Sequence, residues 1–177
     1  MVATESAGQA SPEPWLRGTL TEVPAVQRAA LHALELARED LWRWCGGLQD
    51  EEVNARPAGL PPVAFHLRHI ARSLDRLLTY AEGRELNEEQ LAQLKREQDP
   101  GANGKQLFVE LEAALENSAS RVRAFDAASL EEPRTVGKRQ LPTTLGGVLV
   151  HVADHTQRHT GQAITTAKLL LAQRAQK

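Results

Sequence analysis

Five of the six histidines of this chain lie in two short stretches, and their spacing is typical of metal ligands. The stretches are HLRHI, with His66 and His69, and HVADHTQRHTGQ, with His151, His155 and His159. Residues four apart on an α-helix share one face and are separated by about 6 Å along the axis. Two imidazoles placed in this way can bind one ion such as Zn²⁺ at about 2 Å each. The histidine spacing therefore predicts a metal site.

A metal ion also accounts for the close placement of several imidazoles. Protonated imidazoles at this spacing would repel one another, whereas metal ligands are deprotonated. The pairs His151–His155 and His155–His159 both have the required spacing, and a further ligand must come from another helix. The HLRHI stretch, with His66 and His69, can supply this further ligand. Periodicity alone favours His66, because it lies nearer than His69 to the centre of the apolar stripe of its helix.

The sequence around these histidines excludes a zincin-type protease. Such enzymes carry HExxH, in which a glutamate beside the first histidine acts as general base. Val152 follows His151 and Thr156 follows His155, so neither pair has that glutamate. A catalytic thiol is also not expected, because the only cysteine, Cys45, ends an apolar helical segment and is predicted to be packed.

Four long amphipathic segments must position the histidines, since apolar residues recur in them at steps of three and four. The first ends at Gly46, the second lies between GLPP and Gly83, the third carries Phe108 to Phe125, and the last spans about 145–173. A short extra helix capped by Asn87 and a long connection at residues 129–144 are also predicted. No convincing strand pair is found, although TVGKRQL could include an extended piece. The pattern predicts an all-α fold, a four-helix bundle.

Composition and charge indicate the number of domains and the classes of partner. The 177 residues suggest a single domain at residues 15–177, preceded by a mobile tail at residues 1–14. A net charge of -2 and a pI of about 6.3 argue against nucleic-acid binding. No apolar run approaches the roughly 20 residues that cross a bilayer, and no secretory signal is found, so we expect a cytoplasmic protein without membrane partners. The charged run at residues 87–99 is expected to be solvent-exposed.

Two stretches of the chain resemble the DinB/YfiT-like superfamily of metal-binding helical proteins. In that family the second helix carries a ligand histidine followed by an aliphatic residue and often alanine, as His69 does in HIA. The last helix carries HxxxH followed by Gly-Gln, as His155 and His159 do in HTQRHTGQ. The resemblance covers most of the chain. It implies an up-down-down-up bundle in which these three histidines hold a divalent metal, zinc or nickel, with open positions for water.

The same resemblance implies a function. Members with assigned activities are mostly thiol-dependent transferases or isomerases that use bacterial low-molecular-weight thiols. We therefore expect a metal-dependent transferase with such a thiol as small-molecule cosubstrate, or a related hydrolase. The alternative is a non-catalytic, metal-stabilised binding or stress-response protein. An exposed bundle face could also support a homodimer.

Three further residues have open roles near the predicted site. His66 and His151 are additional to the three ligands that the resemblance implies. Either could be a fourth ligand, a hydrogen-bond partner of a ligand, or a proton carrier. Gln162, one turn beyond His159, could hydrogen-bond within the site.

Overall fold

The computed structural model describes residues 11–176, and the described chain is mostly helical. Residues 1–10 of the predicted tail lie outside the described residues, and a short 3₁₀ turn begins at Pro14. The helices are α1 (Ala25–Cys45), α2 (Asp50–Val53), α3 (Val63–Ala81), α4 (Glu88–Lys95), α5 (Gly104–Ala124) and α6 (Leu145–Arg174). The predicted helical class is therefore confirmed.

The four long helices, α1, α3, α5 and α6, enclose one apolar core. Helix α6 packs against α1 on one side and α3 on the other, and α3 also packs against α5. The apolar stripes of all four helices supply fully buried side chains, among them Leu41, Leu67, Leu74, Leu111 and Leu149. Burial of such stripes stabilises helices that would be marginal in isolation.

Specific contacts show which parts of neighbouring helices lie side by side. The amide Nε2 of Gln157 on α6 donates to the carbonyl of Ala33 on α1 at 2.7 Å, and Lys168 lies over the ring of Trp44. The hydroxyl of Thr166 donates to the carbonyl of Pro61, two residues before α3 begins. These contacts hold α6 against α1 and against the segment that leads into α3.

Side-chain caps set the starts of three helices. The carboxamide of Asn87 accepts from the Gln90 amide, and the Gln90 side chain returns a bond to the Asn87 amide, so the predicted short helix and its cap are confirmed. Asn103 caps α5 through the Gln106 amide. Thr144 caps α6 through the Gly147 amide at 3.1 Å. Each cap satisfies a backbone N–H that the helix itself cannot pair.

The connection before α6 contains a β-hairpin, so the prediction that no strand pair exists is wrong. Strand β1 (Pro133–Val136) pairs antiparallel with β2 (Leu141–Thr144). Neither strand, PRTV nor LPTT, alternates strictly between apolar and polar residues, so periodicity does not identify them in the sequence. The hairpin is tied to α6, because the Leu145 amide donates to the carbonyl of Glu132 at 3.0 Å.

Within residues 11–176, no helix combines the length and apolar character that a membrane span requires.

Candidate metal centre

Helices α3 and α6 bring three histidines together. His69 of α3 and His155 and His159 of α6 each offer one ring nitrogen, and these nitrogens lie within 4.8 Å of one another. The Nε2 atoms of His69 and His155 are 3.1 Å apart. Two nitrogens bound to one Zn²⁺ at about 2.0–2.1 Å with a tetrahedral angle lie about 3.3–3.4 Å apart. The separation therefore suits two ligands of one ion, with little movement.

The surroundings favour neutral imidazoles at this site. Burial, reinforced by the neighbouring imidazoles, lowers the pKa of both His155 and His159 to about 4. The ring centroids of these two residues are 4.7 Å apart, so two positive charges would repel strongly. Neutral rings avoid this repulsion, and each presents a lone pair that a metal ion can bind.

A buried carboxylate fixes the orientation of His69. Glu97 lies in the turn after α4, is 4% exposed and accepts from Nδ1 of His69 at 2.7 Å. Arg76 donates from Nη1 to the other oxygen of Glu97, also at 2.7 Å. Because the carboxylate accepts, Nδ1 of His69 carries the hydrogen, and the lone pair of Nε2 is left free to bind a metal ion.

The charge of Glu97 is retained despite its burial. Desolvation raises its pKa, but the hydrogen bonds and charges of His69 and Arg76 outweigh that effect and lower the pKa overall. An ionised carboxylate makes the His69 imidazole a more basic ligand.

Glu97 lies within residues 87–99, which the sequence predicts to be exposed surface, and for this residue that prediction is wrong. No local signal marks it: Glu97 follows a helix in a run of charged residues. Its partners lie 21 and 28 positions earlier in the chain, and only the docking of the α4–α5 turn against α3 brings them together.

His66 lies behind the three-histidine group rather than within it. Its side chain is buried, with 2% exposed, and its Nδ1 is 3.2 Å from Nδ1 of His159. Periodicity correctly indicated that His66 is more deeply placed than His69, yet the group includes His69 instead. Burial and the nearby His159 and His69 lower the pKa of His66 to about 4. His66 therefore contacts His159, a member of the three-histidine group, from the core side.

The remaining predicted residues lie at the edge of the site or outside it. His151 is exposed, its ring centroid is 5.4 Å from that of His155, and its Nδ1 is 3.6 Å from Asp154. Gln162 is exposed, and within residues 11–176 no hydrogen bond joins it to the histidines. Cys45 is buried as predicted, and burial raises the pKa of its thiol to about 12.

A protein-family comparison agrees with this geometry. The family model described as DinB superfamily matches residues 33–163, which include all three histidines of the group. The chain belongs to the DinB superfamily.

Structural comparison gives the same fold. A crystal structure described as a conserved protein of a locus from Enterococcus faecalis superposes with a TM-score of 0.68 at 20% sequence identity. The match covers 85% of this chain and 99% of that chain. No curated protein matches significantly in sequence.

The donor set of this DinB protein suits a divalent transition metal. Three neutral imidazoles are good ligands for several first-row ions. Tetrahedral coordination requires four ligands, so a group of three leaves one position for a small molecule. Within the described residues, the three-histidine group is the one such cluster of histidine, cysteine or carboxylate ligands. The group can therefore hold a metal ion.

Replacing Glu97→Gln is expected to weaken zinc binding by about 10–100-fold, the usual cost of losing an orienting partner of a ligand. The amide cannot supply the charge that raises the basicity of His69. The affinity is measured by competition with a chromophoric chelator, and Glu89→Gln, an exposed glutamate on α4, is the matched control. Equal zinc affinity of Glu97→Gln and Glu89→Gln would show that Glu97 serves only the packing of the turn.

Proposed function

We propose that this DinB protein is a metal-dependent enzyme that transfers a low-molecular-weight thiol to an electrophilic substrate. The convergence of His69, His155 and His159 from two helices carries the proposal. Zinc or nickel is the proposed ion, because three imidazoles suit both. Membership of the superfamily supports the assignment, since thiol-dependent transferases are among its members with assigned activities.

The histidine group is suited to activating an incoming nucleophile. When bound there, a divalent ion lowers the pKa of a thiol or a water at its open position, because neutral ligands leave its double charge unreduced. The protein itself supplies no such nucleophile in the described chain, since the thiol of Cys45 is buried with its pKa raised to about 12. An external thiol is therefore the proposed cosubstrate.

The residues around the group have distinct proposed roles. Glu97 and Arg76 hold His69 in one orientation, and Ser73, with its hydroxyl 3.4 Å from Nδ1 of His155, limits rotation of that ring. His151 is exposed beside His155 and is the proposed proton carrier to solvent. His66 is enclosed in the core and positions His159.

We further propose the up-down-down-up order of the four long helices and a cytoplasmic location. Contacts of Gln157 with Ala33 and of Lys168 with Trp44 support a parallel pair formed by α1 and α6. Arg72 in the middle of α3 contacts Glu110 in the first half of α5, and Glu82 at the end of α3 contacts Arg121 near the end of α5. Both contacts advance in the same direction along the two helices, which supports a second parallel pair. We also propose a homodimer, and no face of the bundle is assigned as its interface.

The transfer is tested with zinc- and nickel-loaded protein, a panel of bacterial thiols and glutathione, and 1-chloro-2,4-dinitrobenzene. In this reaction a carbon–sulfur bond forms, the carbon–chlorine bond breaks, chloride leaves with the electron pair, and the thiol proton passes to solvent. We expect metal-dependent product formation that His155→Ala reduces at least about 100-fold, as loss of a nucleophile-activating ion requires. Thr165→Ala, an exposed residue of α6, is the control.

The outcomes separate the proposal from its competitors. Thiol transfer that is unchanged by His155→Ala would overturn the proposed function. Ester or amide hydrolysis without a thiol requirement would assign the site to the related hydrolases. A metal-loaded protein that is stabilised but converts no substrate in either assay would support the non-catalytic role, in which the ion links α3 to α6.

A further inference from the structure

A cavity lies on the side of the bundle formed by α1 and α5, whereas the histidines lie between α3 and α6. It has a volume of about 760 Å³ and is bounded by the end of α1, by α2 and by the start of α5. None of its lining residues belongs to the histidine group. Sites for small molecules usually have volumes of about 300–1,000 Å³. The cavity is therefore large enough for a ligand of its own.

One wall of this cavity is an aromatic pair. The rings of Trp42 and Phe108 have centroids 4.2 Å apart and an interplanar angle of 31°. Phe108 is 5% exposed and Trp42 is 48% exposed, so Phe108 supports the Trp42 ring from below and part of the indole stays accessible. A partly exposed planar ring can stack with another planar ring.

One hydrogen bond and one ion pair restrain the Trp42 ring. Its Nε1 donates to Oε1 of Glu112 at 2.6 Å. The other oxygen of Glu112 lies 2.8 Å from Nε of Arg38, which anchors the carboxylate. A wall that is fixed before binding costs less conformational entropy when a ligand arrives.

Gly46 permits this ring position. Its backbone, with φ of -63° and ψ of -20°, is an ordinary helical conformation that any residue adopts. A Cβ at this position would lie 2.8 Å from Cε3 of Trp42 and 2.7 Å from the Trp42 carbonyl oxygen. Glycine is therefore required at position 46 by the close approach of Trp42, and not by the backbone conformation.

The charges around the cavity favour a cation. Three carboxylates line it, from Asp50, Glu51 and Glu112, against one ammonium, from Lys105. Arg38 neutralises Glu112, and Asp50 accepts from the backbone amide of Gly104 at 2.8 Å. Glu51 is exposed at the rim. An aromatic wall with a net negative rim selects a planar aromatic group that carries a positive charge.

We propose that this cavity binds small planar aromatic amines, with the ring stacked on Trp42 and the ammonium group directed to the carboxylates of the rim. The cavity is separate from the histidine group, so this binding does not depend on the proposed transferase function.

The test uses tryptamine and its matched anion indole-3-propionate, with calorimetry on the zinc-loaded protein. We expect saturable one-to-one binding of tryptamine and binding of the anion that is at least about tenfold weaker, because cation–π and rim charges contribute only to the amine. Trp42→Leu should weaken tryptamine binding about tenfold or more. Trp15→Leu is the matched control, because Trp15 is 62% exposed and its Nε1 also donates to a carboxylate, Glu13.

Two further variants keep the test decisive if Trp42→Leu perturbs the fold. Glu51→Gln changes only an exposed rim charge and should reduce the preference for the amine over the anion. His155→Ala should leave tryptamine binding unchanged, since the histidine lies on another side of the bundle. Absence of tryptamine binding, equal binding of both probes, or an equal effect of Trp15→Leu would overturn the proposal.

Discussion

The double variant His155→Ala/His159→Ala is expected to lose high-affinity zinc binding. Structural zinc sites with four ligands bind with an apparent free energy of about 10–16 kcal/mol, or about 2.5–4 kcal/mol for each ligand. Removal of two of the three imidazoles should therefore weaken binding by at least about 1,000-fold. His69 would remain as the only member of the group, and one imidazole does not form a site. Calorimetry with a competing chelator measures the affinity.

His151→Ala is the comparison for this result, since it removes an exposed histidine of the same helix that is not in the group. Its zinc affinity should equal that of the parent protein. Zinc should also raise the thermal midpoint of the parent and of His151→Ala, but not that of the double variant, because a ligand stabilises only a protein that binds it. A zinc-dependent rise in the midpoint of the double variant would show that the ion binds elsewhere.

Acidification of the metal-free protein is expected to lower its free energy of unfolding as the pH falls from about 6.5 to about 4. The pKa values of His66, His155 and His159 are each lowered to about 4, mainly by burial, from the ordinary histidine value of 6.5. Unfolding in this window therefore takes up protons that the folded state does not bind, so stability rises with pH and is lost on acidification. Each proton contributes about 1.4 kcal/mol per pH unit.

The three histidines do not contribute equally to this slope. His66 is fully enclosed, whereas His155 and His159 are partly exposed, and solvent screening reduces their share. We expect a combined slope between about 1.4 and 4 kcal/mol per pH unit near pH 5. Urea unfolding at a series of pH values measures it.

His66→Leu provides the control for the acid effect. Leucine keeps most of the buried volume and removes one group that takes up a proton on unfolding. The slope should fall by about 1 kcal/mol per pH unit. Stability at pH 7.5 should fall by only about 1 kcal/mol, because Nε2 of His66 has no hydrogen-bond partner among the described residues and only the Nδ1 contact with His159 is lost. A slope that is unchanged in His66→Leu would assign the acid sensitivity to other groups.

The repeated spacings of the chain could be interpreted without a structure. Apolar residues at steps of three and four predicted the long helices, because a helix places those positions on one face. The steps of four among His151, His155 and His159 placed imidazoles on one face for the same reason. The Asn87 cap was also predictable, since Asn87 and Gln90 bond within four consecutive residues.

Other features could not be predicted from the spacing of residues because they depend on distant segments. The choice of His69 over His66 depends on how α3 is rotated against α6. The apolar stripe of α3 indicated only relative depth, and the family resemblance was what predicted His69. The hairpin pairs two segments that do not alternate strictly between apolar and polar residues, so they leave no periodic signal.

The sequence by itself determined the helices, the family resemblance and the histidine-rich faces, since each rests on residues within a few turns of one another. Only the tertiary structure decided that Glu97 orients His69 and that Trp42 and Phe108 form one wall of a cavity. These partners are 28 and 66 positions apart in the chain. Interactions at such separations form only when packed helices bring the segments together, and local propensity carries no information about that packing.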